Sequence, residues 1–287
     1  MNEEKEYCIY KDEEIDVSKG SLEHIIPLSL GGADDFNITV DRDMNSIAGS
    51  SIDGKLSNDF LVKLNNIKMG YKGHSKKEPI LKIKKANIEG SPVSVQFKKE
   101  GMEVFDPIKK KIVKEASKVN LETKIELDTR IKFVCKVILA AGYFVYGDTF
   151  VKYADHDSLR KAAFSKDLFN EDAHDLRVYD NLIPIEDKDK GSNQLIKVLA
   201  ENLGGSCVIF ELSNVNIIGH VSIGGKYIGS VNFKAKSDMF PNDKEFRLGK
   251  VLCCKDNKLY GDSFWDTIYK MNKALGIVDI DDSQIEF

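Results

Sequence analysis

The chain of 287 residues has few cysteines, no long uninterrupted hydrophobic run and no apolar secretory segment near its start. The five cysteines are an odd number without metal-type spacing, and the adjacent residues Cys253 and Cys254 rarely bridge each other. This usage predicts reduced thiols in a cytoplasmic protein. The longest apolar run, from Val134 to Tyr146, contains a lysine and is too short to cross a bilayer, so we expect no membrane partner.

An excess of basic charge is also missing. The formal net charge is −4 and the isoelectric point is near 5.8, whereas nucleic-acid-binding domains are often basic overall. No G-x-x-x-x-G-K-S/T phosphate loop is present, and Gly224-Gly225 lies between two expected strands, where it indicates a hairpin turn. The lysines are nevertheless concentrated between residues 63 and 118.

The most informative segment that is present is S-L-E-H-I-I-P-L-S-L-G-G, residues 21 to 32. It places Glu23 and His24 side by side, and asparagines follow at Asn37 and Asn45. A carboxylate beside an imidazole, with amide side chains nearby, suits a phosphodiesterase that uses one metal ion. One group holds a hard divalent cation, a second deprotonates water and a third orients that base.

Residues 8 to 70 resemble the HNH endonucleases, whose core is a ββα-metal finger. The family's D/E-H-I-I-P-x-S-x-G-G string is matched here, with Glu23 at the metal-ligand position and His24 at the general-base position. Asn37 resembles the central asparagine that orients the base, and Asn45 matches the last metal-ligand position. In the family, a helix that carries glycine and lysine follows the last ligand position, and residues 47 to 56 are similar to that helix.

The resemblance implies cleavage of nucleic acid, DNA more than RNA, with one divalent cation. Magnesium or manganese is expected because the ligands are oxygens. Lysines that directly follow the metal-ligand positions would attract phosphates without reading bases. The candidate nucleic-acid contacts are Lys55, Lys72, Lys76 and Lys77. The alternative is that these lysines form an ordinary solvated surface.

One departure from the family concerns the structural zinc that many relatives hold on two Cys-x-x-Cys pairs. The equivalent positions are Cys8, Lys11, Asp41 and Met44, so only one cysteine remains. A charged lysine cannot bind zinc, and a thioether binds it poorly. We therefore expect no structural zinc. Apolar packing should hold the finger instead, through Ile9, Ile15, Ile25, Ile26 and Leu28.

The expected fold class is α+β, with an N-terminal ββα-metal finger followed by a mixed helical and antiparallel-β body. We divide the chain into a nuclease finger (1–70), a small β connector with a basic surface (71–115) and a C-terminal α+β domain (116–287). Periodicity predicts helices at 120–146, 157–169, 193–203 and 263–275, with Asp157 or Ser158 capping the second. It predicts strands at 80–88, 93–97, 207–212, 217–223, 226–233 and 251–254.

Two functions from different classes are compatible with these patterns. The first is a metal-dependent endonuclease, in a restriction, mobile-element or defence role. The second is a catalytically silent nucleic-acid-binding module whose C-terminal domain binds a partner or ligand. Taken alone, an adjacent Glu-His pair is usually a surface feature, and Asn37 and Asn45 fit a turn and a solvated helix. No catalytic role is assigned to His74, His156, His174 or His220, and the sequence indicates no oligomeric state.

Overall fold

A computed structural model describes residues 4–73, 75–88, 90–113, 119–166, 176–184 and 190–276. The protein is α+β, as expected from the sequence. His74 and His174 lie outside the described residues. The helix predicted at 157–169 is too long at its end, because it is observed as His156–Phe164 and the backbone is extended at Ser165. No helix within these ranges is long and apolar enough to span a membrane.

The described strands are β1 (Lys5–Cys8), β2 (Glu13–Asp16), β3 (Gly20–His24), β4 (Asn37–Asp41), β5 (Leu81–Ile88), β6 (Ser91–Lys98), β7 (Gly101–Asp106), β8 (Lys111–Val113), β9 (Asn120–Leu121), β10 (Arg177–Asp180), β11 (Ser206–Leu212), β12 (Asn216–Ile223), β13 (Lys226–Lys234), β14 (Gly249–Lys255) and β15 (Lys258–Ser263). The described helices are α1 (Arg42–Ile47), α2 (Gly54–Ser57), α3 (Phe60–Met69), α4 (Leu127–Tyr146), α5 (Asp148–Tyr153), α6 (His156–Phe164), α7 (Lys190–Leu203) and α8 (Phe264–Ala274).

Two short hairpins and a helix begin the chain. Strand β1 pairs with β2, and β3 pairs with β4 in antiparallel register. Helix α1 then starts because the Asp41 carboxylate accepts hydrogen bonds from the amides of Asp43 and Met44. Helical structure continues beyond α1 as a π-helical segment, Ala48–Asp53, and then as α2. The order β3-β4-α1 is that of a ββα finger.

A small antiparallel sheet follows, in the order β8-β7-β6-β5-β9. Its own core consists of the buried side chains Ala86, Val93, Val95 and Val104. The two predicted strands are confirmed as β5 and β6. The helix predicted from residue 120 is wrong in its first turns, because Leu121 pairs with Ala86 at the edge of this sheet and α4 begins at Leu127.

The described residues from 127 onwards contribute a six-stranded antiparallel sheet, β10-β13-β12-β11-β14-β15, against which α4 packs. The four strands predicted here are confirmed, whereas β10 and β15 were not predicted. The helices predicted at 193–203 and 263–275 are confirmed as α7 and α8. The cap of α6 is Asp155, whose carboxylate accepts from the amide of Ser158, and not Asp157 or Ser158 as predicted.

One continuous core joins the first seventy residues to the C-terminal sheet and α4. The ring of Phe36 meets Phe144 with centroids 5.2 Å apart. Ser206 Oγ donates to the Leu30 carbonyl at 2.6 Å, and Asn65 Nδ2 donates to the Ile223 carbonyl at 2.9 Å. The finger is therefore fixed against the body, and the division at residue 70 stays a prediction.

Candidate active site in the finger

Glu23 and His24 are the last two residues of strand β3. Glu23 is 4% exposed and lies opposite Ile38, whereas His24 lies opposite Asn37 and is partly exposed. The loop after β3 can turn because Gly31 adopts φ = +79°. A Cβ on Gly32 would lie 1.7 Å from the Ile26 carbonyl oxygen, so only glycine fits there.

The finger contains a cavity of about 290 Å³. Three of the four residues predicted to act in catalysis or metal binding line it, namely Glu23, His24 and Asn45. Asp53, which the sequence pattern did not single out, is a fourth polar residue of the lining. Asn37 is not among the lining residues. The fold thus brings an acid, an imidazole and an amide from β3 and α1 to one concave site, which we call the finger cavity.

The side chain of Asn45 has a defined orientation. Its Nδ2 donates to Ser21 Oγ and to the Leu22 carbonyl, both at 2.9 Å. The amide nitrogen therefore faces β3, and the amide oxygen is the atom left to accept or to ligate. This is the orientation that a metal-ligand role requires of an asparagine.

The imidazole of His24 is oriented by an acid that the sequence pattern did not reveal. His24 Nε2 lies 3.4 Å from Asp34 Oδ1, and Asn257 Nδ2 donates to Asp34 Oδ2 at 2.8 Å. The Asn37 side chain donates from Nδ2 to the Asp34 carbonyl, at 2.5 Å. Asn37 therefore holds the loop that carries Asp34, and acts on the imidazole through that loop.

A buried ion triad forms the wall behind the finger cavity. Lys136 from α4 is 0% exposed, and its Nζ lies 2.6 Å from Glu23 Oε1 and 3.0 Å from Asp53 Oδ2. Tyr10 also donates to Glu23 Oε1, at 3.3 Å. Two carboxylates thus share one ammonium, which leaves a formal excess of one negative charge in a buried place.

The protonation of this triad is shifted by its surroundings. Burial by itself would lower the pKa of the Lys136 ammonium, but the carboxylates of Asp53 and Glu23 outweigh burial and hold that pKa above its usual value. Burial raises the pKa of the Asp53 carboxyl, and Lys136 offsets this only in part because Glu23 adds like charge. The excess negative charge therefore favours a proton or a cation at this wall.

Two members of the triad were not predicted from the sequence. A lysine in the middle of the apolar run of α4 was the available signal, since a fully buried lysine needs an acidic partner. The partner could not be named from the sequence because Lys136 and Glu23 are distant in the chain. Asp53 carried no signal beyond its place in the helical segment after Asn45.

The residues present fit a hard divalent cation in an open site. The finger cavity offers the carboxylate oxygens of Glu23 and Asp53 and the amide oxygen of Asn45, which are the donor types that magnesium and manganese prefer. Within the described ranges, no three His, Cys, Asp or Glu side chains gather closely enough to hold a metal. A cation here would therefore need water or substrate oxygens as well.

The four lysines predicted to contact nucleic acid are all exposed, but not all of them are close to the finger cavity. Lys72, Lys76 and Lys77 follow α3, and Gly73 in that segment lines the finger cavity. Lys72 Nζ is paired with Glu78 at 2.6 Å. Lys55 instead lines a second cavity, of about 460 Å³, beside Arg130.

The positions equivalent to the zinc cysteines meet at one end of the finger, which we call the knuckle. The buried Cys8 Sγ accepts from the Asp41 amide at 3.2 Å, and Lys11 Nζ lies 3.2 Å from Asp41 Oδ2. Burial works to raise the pKa of Asp41, but the Met44 amide and the Lys11 ammonium outweigh it and lower that pKa. The β1–β2 turn is thus tied to the start of α1 by a hydrogen bond and an ion pair.

The apolar packing predicted for the finger is confirmed for all but one residue. Ile9, Ile15, Ile25 and Ile26 are buried. Leu28 is only partly buried and lines the finger cavity, because the short helical turn after Pro27 directs Leu30 into the core in its place.

Two histidines outside the finger have structural contacts. His220 is 5% exposed, and its Nδ1 lies 3.3 Å from the Tyr227 hydroxyl. His156 Nδ1 lies 3.1 Å from Arg160 Nη1. Neither belongs to the finger cavity.

Comparison with family models, with curated proteins and with solved structures gives no match. A functional assignment for this chain therefore depends on the geometry of the finger cavity and on the sequence pattern that supplies its residues.

Proposed function

We propose that the finger is a metal-dependent endonuclease that hydrolyses phosphodiester bonds of nucleic acid, DNA in preference to RNA. The observation that carries the proposal is the meeting of Glu23, His24 and the oriented Asn45 in one cavity of a ββα unit. The preference for DNA and the type of reaction rest on the resemblance to HNH endonucleases. Five free, buried cysteines support a cytoplasmic location.

In this proposal His24 removes the proton from the attacking water. A neutral imidazole is the required form, and the nearby Asp34 carboxylate stabilises the imidazolium that results. Asn37 is a positioning residue, because its side chain holds the Asp34 carbonyl and so fixes the loop. The arrangement is that of a base oriented by an acid.

Glu23 and Asn45 would hold one magnesium or manganese ion, with Asp53 as a further oxygen donor in the finger cavity. When bound, the ion supplies charge stabilisation to the phosphoryl group and the leaving oxygen. Lys136 and Tyr10 fix the Glu23 carboxylate from behind. The exposed Lys72, Lys76 and Lys77 would guide the phosphate backbone towards the finger cavity, where Gly73 leaves room.

A plasmid-nicking assay of the purified protein with Mg²⁺ or Mn²⁺ tests the proposal. We expect nicking by the wild type, and a loss of about 10²- to 10⁴-fold in rate for His24→Ala, as is typical when a general base is removed. Glu14→Gln on β2, an exposed acid outside the finger cavity, is the control and should cleave like the wild type. Equal rates for His24→Ala and the wild type would refute the role of His24.

A catalytically silent nucleic-acid-binding module is the second candidate. The ion pair between Glu23 and Lys136 favours it, because a carboxylate already neutralised at 2.6 Å is a weaker metal ligand. Gel-shift binding of DNA that is unaffected by His24→Ala, with no nicking at any concentration of either metal, would establish this candidate in place of the nuclease.

A further inference from the structure

The cavity of about 460 Å³ is not the only one outside the finger cavity. A larger cavity lies beside α3, where this helix meets the β6–β7 hairpin and β13. It has a volume of about 580 Å³, within the range of small-molecule sites. Its walls come from α3, from the hairpin of β6 and β7, and from the start of β13. We call it the junction cavity. It shares no lining residue with the finger cavity.

The interior of the junction cavity is mostly apolar. Leu64, Ile67, Phe97 and Tyr227 contribute to its walls. Three large apolar residues with substantially exposed side chains also converge on it, namely Leu61, Met102 and Leu182. A soluble surface rarely gathers such side chains into one concavity without a binding partner.

The charges that line the junction cavity have one sign. The described lining includes Lys68, Lys98, Lys99, Lys226 and Arg130, and contains no aspartate or glutamate. Lys98 and Lys226 are each paired at 2.7 Å with acids that lie outside the lining. Arg130 is likewise paired, with Asp180 and Asp59. Lys68 and Lys99 are therefore the lining cations that remain to offer positive charge to a ligand above the apolar walls.

Arg130 at the wall of the junction cavity is an independent observation. Its side chain is 3% exposed, and its Nε donates to Asp180 Oδ2 at 2.6 Å. Its Nη1 lies 3.6 Å from Asp59 Oδ1 and has no hydrogen-bond partner among the described residues. A buried N–H donor without a hydrogen-bond partner is costly. Arg130 and Asp59 also line the cavity of about 460 Å³, so Arg130 belongs to the walls of both cavities.

We propose that the junction cavity binds a small organic anion. The apolar or aromatic body would lie against Leu64, Ile67 and Phe97, and the anionic group would face Lys68 and Lys99. Mostly apolar walls favour this ligand over the backbone of a nucleic acid, which would require a long groove lined by cations. The proposal does not depend on the nuclease activity.

Anilinonaphthalene sulfonate, an aryl sulfonate of suitable size, is the probe, and phenylnaphthylamine is the matched neutral compound with nearly the same aromatic body. Fluorescence titration and calorimetry of the full chain should give one sulfonate site per chain. The neutral compound should bind about tenfold more weakly, since a charge-assisted hydrogen bond contributes that much. Equal affinity for the two compounds would overturn the proposal.

Substitutions locate the probe. Lys68→Gln should weaken sulfonate binding about tenfold, whereas Lys85→Gln on β5, outside the junction cavity, should leave it unchanged. Met102 is exposed, and it can be replaced by Glu or by Gln, whose side chains have similar shapes but different charges. Met102→Glu should therefore weaken binding at least about tenfold more than Met102→Gln.

Two results would contradict this assignment. The first is an unchanged affinity for the sulfonate, with Lys68→Gln binding it like Lys85→Gln and Met102→Glu binding it like Met102→Gln. Thermal melts must show that all four variants are folded. The second is displacement of the sulfonate by a single-stranded oligonucleotide, which would assign the junction cavity to nucleic acid. One site that responds to both substitutions and is not displaced would support the proposal.

Discussion

The knuckle and the finger cavity are two ends of the same finger, and they differ in how closely they follow the HNH pattern. At the knuckle, three of the four positions that hold zinc-binding cysteines in many HNH endonucleases carry a residue other than cysteine. Lys11 and Asp41 form an ion pair there, and the remaining Cys8 is buried. At the finger cavity, Glu23, His24 and Asn45 match the pattern and share one lining.

The difference has a physical basis. A structural zinc ties a hairpin to a helix, and several weaker contacts acting together can take over this role. Here the Asp41 carboxylate caps α1 and pairs with Lys11, while four isoleucines are buried beneath. Chemistry at a phosphodiester cannot be replaced in this way, because it needs a base and oxygen ligands at defined positions. Under the proposed function, the finger has other contacts at the positions where many HNH endonucleases have a zinc cross-link, and it keeps the residues assigned to catalysis.

The largest expected effect on stability is at the wall of the finger cavity. Lys136→Met would leave Glu23 and Asp53 buried without their cation, which typically costs about 3–5 kcal/mol of unfolding free energy. Lys132→Met on the same helix removes an ion pair with Asp128, which is 37% exposed, and should cost less than Lys136→Met. Urea denaturation measures both, and equal losses would show that the triad is not the source of stability.

The same variant tests whether the finger cavity accepts a cation. If it does, Mn²⁺ should raise the melting temperature of Lys136→Met more than that of the wild type, because a cation that binds only the folded state stabilises it. No difference in the Mn²⁺ effect between the two proteins would argue against a cation site beside Glu23 and Asp53.

Removal of one proposed ligand should have a smaller effect. Asn45→Ala is expected to weaken Mn²⁺ binding about tenfold in a calorimetric titration, as loss of a single neutral contact does. Glu23→Gln should weaken it more, since a charge is lost. Asp43→Asn, an exposed acid on the same helix, is the control and should bind Mn²⁺ like the wild type. Unchanged affinity in both ligand variants would refute their role.

At the knuckle, Asp41→Ala should cost about 1–2 kcal/mol at neutral pH, since the helix cap and the ion pair are both lost. Asp41→Asn keeps a capping oxygen and should cost less. Because folding lowers the pKa of Asp41, its charge contributes stability that is full above the unfolded pKa and is lost as pH falls through the folded pKa. The advantage of the wild type over Asp41→Asn should therefore shrink below about pH 4. An advantage independent of pH would contradict this account.

Removal of metal ions by a chelator should have the smallest effect of all, because we expect it to leave the stability of the fold unchanged. EDTA is expected to leave the melting temperature of the protein unchanged, and elemental analysis should find no stoichiometric zinc, because Cys8, Lys11, Asp41 and Met44 do not form a closed ligand set. One zinc ion per chain that survives dialysis, with a large drop in melting temperature on chelation, would show that the knuckle has been misinterpreted.

Local patterns in the sequence were sufficient for much of the fold. Alternation predicted β5, β6 and four strands of the large sheet, and helical periodicity predicted α4, α7 and α8. The errors lie where long-range pairing decides the structure. Leu121 fits a helical pattern, but pairing with Ala86 makes it a strand residue. Strands β10 and β15 are the edge strands of the large sheet. Most of their residues are exposed or half-buried, so they lack the apolar runs that mark the buried strands β11 and β14.

The resemblance of residues 8 to 70 to HNH endonucleases implied the ββα order of the finger. The sequence by itself determined the strands and helices that follow a simple periodicity, because that pattern is local. Only the tertiary structure decided what surrounds the residues of the finger. Lys136 reaches Glu23 across more than a hundred positions of the chain, and Asn257 reaches Asp34 across more than two hundred. A buried charge takes its partner from whichever element packs against it, and that choice is made by the assembled core.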